Sequence, residues 1–320
     1  MKKILIILSI FLFNSLNIFA ECSNYCLNWN EYFQSIALVE FNDIALNNDE
    51  AAWVVGNYGT ILKATDGFYS TVFQESNTYE DLLSICMVSN DLLWISGNNG
   101  TILKTTNGGN TWSQYITNLS DNITCIDFIN GNVGWAIGSN GNVLRTNDAG
   151  ENWVVFPNIE FQGIKRIFAV DENNAWGVGN DSKIIKLFYN SNDISVLNQS
   201  PINLSVDLND LCFIDLNNGW AVGDSCTCLK PNDGGNTWAS IQTNEYLSPA
   251  TSFNKISFLN QNFGYVTTSE GIICTGNGGS FWSFLERYNS LLKGVCMIDE
   301  NFGYTIDSEG SVFELLGDYL

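Results

Sequence analysis

Apolar residues along this chain fall in short runs with a period near two, each ended by a cluster of Gly, Asn, Asp or Ser. Ile123-Thr-Cys-Ile-Asp-Phe128 and Gly100-Thr-Ile-Leu-Lys104 are examples. Runs this short, with turn signals this dense, predict β-strands and almost no helix. The pattern also repeats. An aromatic residue followed by small or branched residues and a glycine recurs at Trp53, Trp94, Trp135, Trp176 and Trp220, and Tyr265 and Tyr304 continue the series without the glycine. The intervals are 41, 41, 41, 44, 45 and 39 residues. Five positions before these marker aromatics sit Asn48, Ser89, Asn130, Asp171, Asp215, Asn260 and Asp299, side chains that close turns on their own backbone. Each unit therefore reads as an inner strand, a turn, the marker strand, a Gly/Asn/Ser loop, a third strand, another turn and a fourth strand. A period near 42 residues with four strands predicts an all-β fold, a seven-bladed β-propeller of four-stranded antiparallel blades.

The units run roughly over 41–81, 82–122, 123–163, 164–207, 208–252, 253–291 and 292–316. The seventh stops before any fourth strand. The segment around Trp29 to Leu38 precedes the first unit and resembles an orphan fourth strand, so residues 27–40 are expected to complete the last blade and remove the open edges of the ring. On this reading residues 21–320 form one domain. Ahead of it, Lys2 and Lys3, the apolar run Ile4 to Phe13 and a stretch ending in Ala20 have the form of an export signal cleaved after Ala20. The run is too short to span a bilayer comfortably. A periplasmic or secreted protein, with no stable membrane insertion after cleavage, is expected. Cys22 suggests lipidation instead, but Glu21 stands where that processing wants a small residue.

A second motif lies between the third and fourth strands. Thr146-Asn-Asp148-Ala-Gly150-Glu-Asn-Trp153 has counterparts with Asn107 and Trp112, with Asp233 and Trp238, and with Asn277 and Trp282; a degenerate copy has Asp66 and no tryptophan. These resemble the Asp-box of bacterial neuraminidase-type repeats. The Asp or Asn side chain is expected to cap turn N–H groups while the tryptophan packs over the turn, a structural role rather than a catalytic one. The whole pattern over 29–316, with Gly134-Trp135, Gly219-Trp220 and Lys104 to Trp112, resembles the photosystem II stability/assembly factor family. The resemblance implies a non-enzymatic, exported, protein-binding scaffold. Its photosynthetic members carry an arginine-containing basic patch. This chain has only Arg145, Arg166 and Arg287, each in a different unit, which points to a different partner.

Charge and composition narrow the chemistry. The chain has 34 acidic residues against 13 basic ones and no histidine, a net charge of −21. Nucleic acid is excluded as a partner for want of a basic footprint, and histidine-based triads are impossible. No catalytic, cofactor or metal site is expected. A sialidase would need a converging arginine triad, which these three scattered arginines do not suggest. The alternative to a protein scaffold is a glycan-binding or glycan-hydrolysing Asp-box propeller. Of nine cysteines, Cys86, Cys212 and Cys296 stand eight positions before their marker, and Cys125 ten before; all four read as buried on the innermost strand. Cys22 with Cys26, and Cys226 with Cys228, are the candidate disulfide pairs. Partner binding is expected on the face where the second-to-third-strand loops meet the blade connections. The candidates there are Tyr58, Tyr79, Tyr115, Lys165, Arg166, Asp181, Asp224, Tyr246, Lys255, Glu270, Tyr288 and Lys293.

Overall fold

A computed structural model describes residues 27–34, 39–47, 51–117, 119–157, 159–190, 193–199, 204–231, 235, 237–241, 247–288 and 290–317. Seven separate four-stranded antiparallel sheets are arranged as blades. Their innermost strands are Phe41–Leu46, Leu82–Met87, Ile123–Phe128, Ile164–Ala169, Leu208–Phe213, Phe253–Phe258 and Leu292–Met297. The seventh blade takes Leu27–Gln34 as its outer strand, paired antiparallel with Ser311–Gly317. The chain's early segment thus closes the ring, as its orphan position in the repeat requires. Two 3-10 turns, Ile159–Phe161 and Asn180–Ser182, are the only helical elements among the described residues. The export signal, Asp233 and Tyr246 lie outside the described residues.

Packing between blades explains why the marker aromatics recur. Trp94 stacks on Phe128 of the next blade at 3.7 Å, and Trp153 meets the same ring edge-on at 5.8 Å. Trp220, Phe258 and Trp282 repeat the arrangement at 3.5 and 6.1 Å, as do Trp176, Phe213 and Trp238 at 5.7 and 6.0 Å. Each marker tryptophan therefore lies between two sheets, where stacked and edge-on contacts add to simple burial. A cation on the third strand lies over each ring: Lys63 on Trp53, Lys104 on Trp94, Arg145 on Trp135, Lys186 on Trp176 and Lys230 on Trp220, all between 4.9 and 5.6 Å. Lys63 and Lys104 also donate to the carbonyls of Gly108 and Ala149 in the next blade's Asp-box.

The Asp-box side chains close their turns locally. Asp148 Oδ1 accepts from the Asn152 N–H at 3.0 Å and the Thr146 hydroxyl at 2.8 Å, while Thr146 Oγ1 accepts the Gly150 N–H at 2.9 Å. Asn107 and Asn277 bond in the same way to the N–H groups of Thr111 and Phe281. Asp66, in the degenerate copy, takes the Ser70 N–H at 2.8 Å. Glycine is required in these turns. Gly235 has φ +87°, and a Cβ there would lie 2.1 Å from the Trp176 ring.

Candidate functional site: the channel mouth

In each of the seven innermost strands the pairing slips by one residue at the same place, two residues into the strand. This bulge is the device that builds the site, because an extra residue in one strand re-aims the side chains beside it. The seven extra residues are Asn42, Leu83, Thr124, Lys165, Asn209, Asn254 and Lys293, and all seven line one cavity of about 530 Å3 at the mouth of the central channel. Asp224, Ser252, Lys255 and Leu291 complete much of its wall.

The residues that follow the bulge, at the same offset in every blade, are Asp43, Ser84, Cys125, Arg166, Asp210, Lys255 and Gly294. Four of them are charged and meet across the axis. Arg166 Nε lies 3.1 Å from Asp210, and its Nη1 lies 3.5 Å from Asp43 and 3.2 Å from the Ser84 hydroxyl. Lys255 approaches Asp43 at 3.9 Å. Asp43 and Asp210 also accept the N–H groups of Ile85 and Ile256 in the following blades, at 3.1 and 3.0 Å. Burial would raise the Asp43 pKa, but Lys255, Arg166 and the Ile85 N–H together hold it below the usual carboxylate value. Burial likewise opposes the charge on Arg166, yet the surrounding anionic groups keep its pKa well above the ordinary value. The result is a charged plug that ties blades one, two, four, five and six together beneath the mouth.

Above the plug the lysines differ in their commitments. Lys165 bonds to Asp207 at 3.0 Å and to Asn209 at 2.9 Å. Lys293 makes no hydrogen bond or ion pair among the described residues. Asn209, Asp224, Ser252 and Asn254 form a hydrogen-bonded chain around the wall, in which Asp224 Oδ1 accepts from Asn209 and Ser252 at 3.0 and 2.6 Å. The Asn254 amide nitrogen is buried with no partner, a donor aimed at the cavity wall. The mouth thus offers an ammonium, amide donors and hydroxyls beside the apolar Leu83 and Leu291, a lining suited to a polar chain carrying negative charge.

Not all of the expected rim converges here. Lys165, Lys255, Lys293 and Asp224 line the cavity, and Arg166 lies beneath it. Tyr58 and Tyr79 are 70% and 91% exposed on blade one, where the Tyr58 N–H bonds to Asp81. Asp181 is held in the left-handed region at φ +54°. Glu270 pairs with Arg287 at 2.7 Å, and Tyr288 packs against Phe313 at 4.6 Å. Tyr115 lies on an outer strand, and its hydroxyl donates to Glu151 of the next blade's Asp-box at 3.1 Å, so it does not join the mouth.

The cysteine offset also resolves into two sets. Cys125 belongs to the plug offset and is buried, whereas Cys86, Cys212 and Cys296 are only half-buried along the channel, where each accepts a backbone N–H from the next blade: Phe128, Phe258 and Leu46 respectively. Cys296 to Leu46 joins blade seven to blade one. Cys226 and Cys228 are not joined in a disulfide: the Cys226 thiol donates to the Ser248 carbonyl at 3.1 Å and Cys228 is buried, while Cys22 and Cys26 lie outside the described residues.

A family model described as "Photosynthesis system II assembly factor YCF48" matches residues 66–147 and 189–299. No curated protein sequence matches the chain. Among solved structures, one titled "YCF48 bound to D1 peptide" shares 17% identity and a TM-score of 0.72, covering 92% of this chain and 96% of that one. YCF48 from Cyanidioschyzon merolae gives 16% and 0.70, with 90% and 98% covered. Virginiamycin B lyase from Staphylococcus aureus, an enzyme, gives 12% and 0.74, with 91% and 99% covered. At these identities the likeness to solved structures is one of fold.

Proposed function

The chain belongs to the photosynthesis system II assembly factor YCF48 family, and on that premise we propose that it is an exported, non-enzymatic scaffold that receives a protein partner at the channel mouth. The observation that carries this reading is the bulge repeated in all seven inner strands, which turns one residue per blade into a common cavity and gathers Lys165, Lys255 and Lys293 there. In a chain of net charge −21 this is a local concentration of lysines, of which Lys293 has no ion pair among the described residues, and it favours an acidic segment over the rest of the surface. The fold neighbour solved with a D1 peptide supports peptide docking on this architecture.

The partner is a different one from that of the arginine-bearing photosynthetic members, because every arginine here is already engaged. Arg166 is held in the plug by Asp210, Asp43 and Ser84. Arg145 stacks 3.6 Å from the Tyr189 ring centroid and donates to the Glu172 carbonyl, and Arg287 is paired with Glu270. Export rests on the form of residues 1–20 and is checked by N-terminal sequencing of the processed protein, which should begin at Glu21.

Photo-crosslinking tests the docking face. A photoreactive residue in place of Leu83 or Leu291 should capture a single protein partner in envelope extract, whereas one in place of Val154, 53% exposed but away from the cavity, should not. Capture through Val154 alone would refute the mouth as the docking site. A second reading, glycan binding, is favoured by the wall of Asn42, Asn209, Asn254 and Ser252; capture of oligosaccharide instead of protein on an array would select it.

A further inference from the structure

The other end of the channel is chemically unlike the mouth. The innermost strands rise about 3.3 Å per residue, so Val170 lies roughly 17 Å along the chain from Lys165, with the charged plug between the two ends. Where blades three, four and five run out at that end, they enclose a cavity of about 260 Å3. Phe128, Ile129, Phe168 and Phe213 supply its apolar walls, Asp127 and Asp215 supply two carboxylates, and no lysine or arginine lines it.

Asp127 occupies the offset that holds cysteine in three other blades. Its Oδ2 accepts the Ala169 N–H at 2.7 Å, and its Oδ1 lies 3.6 Å from the Cys86 thiol. It makes no ion pair among the described residues. Burial pushes its pKa up, and the Ala169 N–H and the more distant Arg166 offset this only in part. The carboxylate is thus short of a positive partner at an apolar wall, the opposite of Asp43 in the plug. Such a site rewards a ligand that brings a charge of the right sign on an apolar body. The ammonium compensates the carboxylate where water is sparse, and the phenyl walls take up the apolar body. A neutral ligand of the same shape gains only the apolar part, and an anion is repelled. The cavity is below the usual range for drug-sized ligands, so the body must be small.

We propose that this cavity binds a small organic ammonium ion, an alkyl- or arylalkyl-ammonium, with its charge against Asp127 and its apolar body among Phe128, Phe168 and Phe213. The site is independent of the docking surface, because the plug separates the two.

Calorimetric titration of the full processed protein with benzylammonium, benzyl alcohol and benzoate tests this. Benzylammonium should bind saturably with one-to-one stoichiometry, benzyl alcohol at least about tenfold more weakly, the equivalent of roughly 1.4 kcal/mol, and benzoate not at all. Asp127→Asn, whose remaining carbonyl can still accept the Ala169 N–H, should weaken benzylammonium about tenfold or more. Ile129→Trp, at the partly exposed rim, should obstruct entry without touching the carboxylate and keeps the test valid if the first variant folds poorly. Lys293→Ala should change nothing here, so failure at the mouth and failure at this cavity are distinguishable. The proposal is overturned if benzylammonium shows no saturable binding up to about 10 mM, if benzyl alcohol binds equally well, or if folded Asp127→Asn binds like the wild type.

Discussion

Arg166→Met removes the centre of the plug while keeping much of its apolar stem volume. The side chain is 24% exposed, and its partners Asp43 and Asp210 are 7% and 4% exposed, so the pair counts as buried. Truncating one member of a buried ion pair costs about 3–5 kcal/mol, because the other charge stays behind without compensation. Asp43 would keep Lys255 at 3.9 Å, but among the described residues Asp210 would keep only the Ile256 N–H. Most of the cost therefore falls on Asp210, and the double variant Arg166→Met/Asp210→Asn should recover at least about half of it. For a domain of this size the single variant should melt roughly 6–20 °C lower. The pH dependence gives a second check. In the wild type the depressed Asp43 pKa contributes stability that is present above the unfolded carboxylate value near 3.9 and is lost as pH falls through the folded value. Without Arg166 that depression shrinks, and this contribution with it. The gap between wild type and variant, followed by urea denaturation with tryptophan fluorescence, should therefore be widest near neutrality and narrow only as the pH falls below about 4. A variant within about 0.5 kcal/mol of wild type at neutral pH, or a deficit that does not change with pH, would refute the plug as a stabilising device.

Three further outcomes are expected. Deleting residues 21–38 removes the strand Leu27–Gln34 and leaves the edge of Ser311–Gly317 open, so the protein should lose its cooperative melt and self-associate by light scattering; an intact monomer would show that closure is dispensable. Gly235→Ala forces a side chain into φ +87° and against Trp176, and should destabilise by at least about 2 kcal/mol in chemical denaturation. Burial pushes the Cys212 and Cys228 thiols up to about 12 and Cys296 to about 11, so in native protein at pH 8 these three should react with a disulfide reagent far more slowly than in denaturant; prompt modification of Cys228 would contradict its placement in the core.

The propeller was legible because its signals recur: a ring-shaped core needs the same large aromatic at each sheet boundary, and Trp53 to Tyr304 keep the spacing. The closing strand was legible as the piece the seventh unit lacks, and it starts at Leu27 as expected, though the strand ends at Gln34. The site was only partly legible. Lys165, Arg166, Lys255 and Lys293 were visible as cations opening inner strands. Asn42, Asn209 and Asn254 were not, since the bulge that unites them is a property of pairing between two strands and the bulged positions hold four different residue types. Asp43 and Asp210 escaped notice for the same reason, although counting ten positions back from each marker would have aligned them with Arg166 and Lys255. Asp127 gives no signal in the sequence, because its offset holds cysteine, alanine, serine or phenylalanine in the other blades and so reads as a core position. The position of Tyr115 in a long connection predicts a rim residue, but strand pairing carries it to the outer edge.

The docking claim is tested most directly by the affinity of the crosslinked partner for wild-type protein and for Lys293→Glu, which reverses the one mouth lysine without a hydrogen bond or ion pair among the described residues and leaves the plug untouched. The charge-complementary mouth predicts at least a tenfold loss of affinity, about 1.4 kcal/mol, with a larger deficit at low salt than at high salt. An unchanged affinity at both salt concentrations, with the variant melting like the wild type, would contradict it.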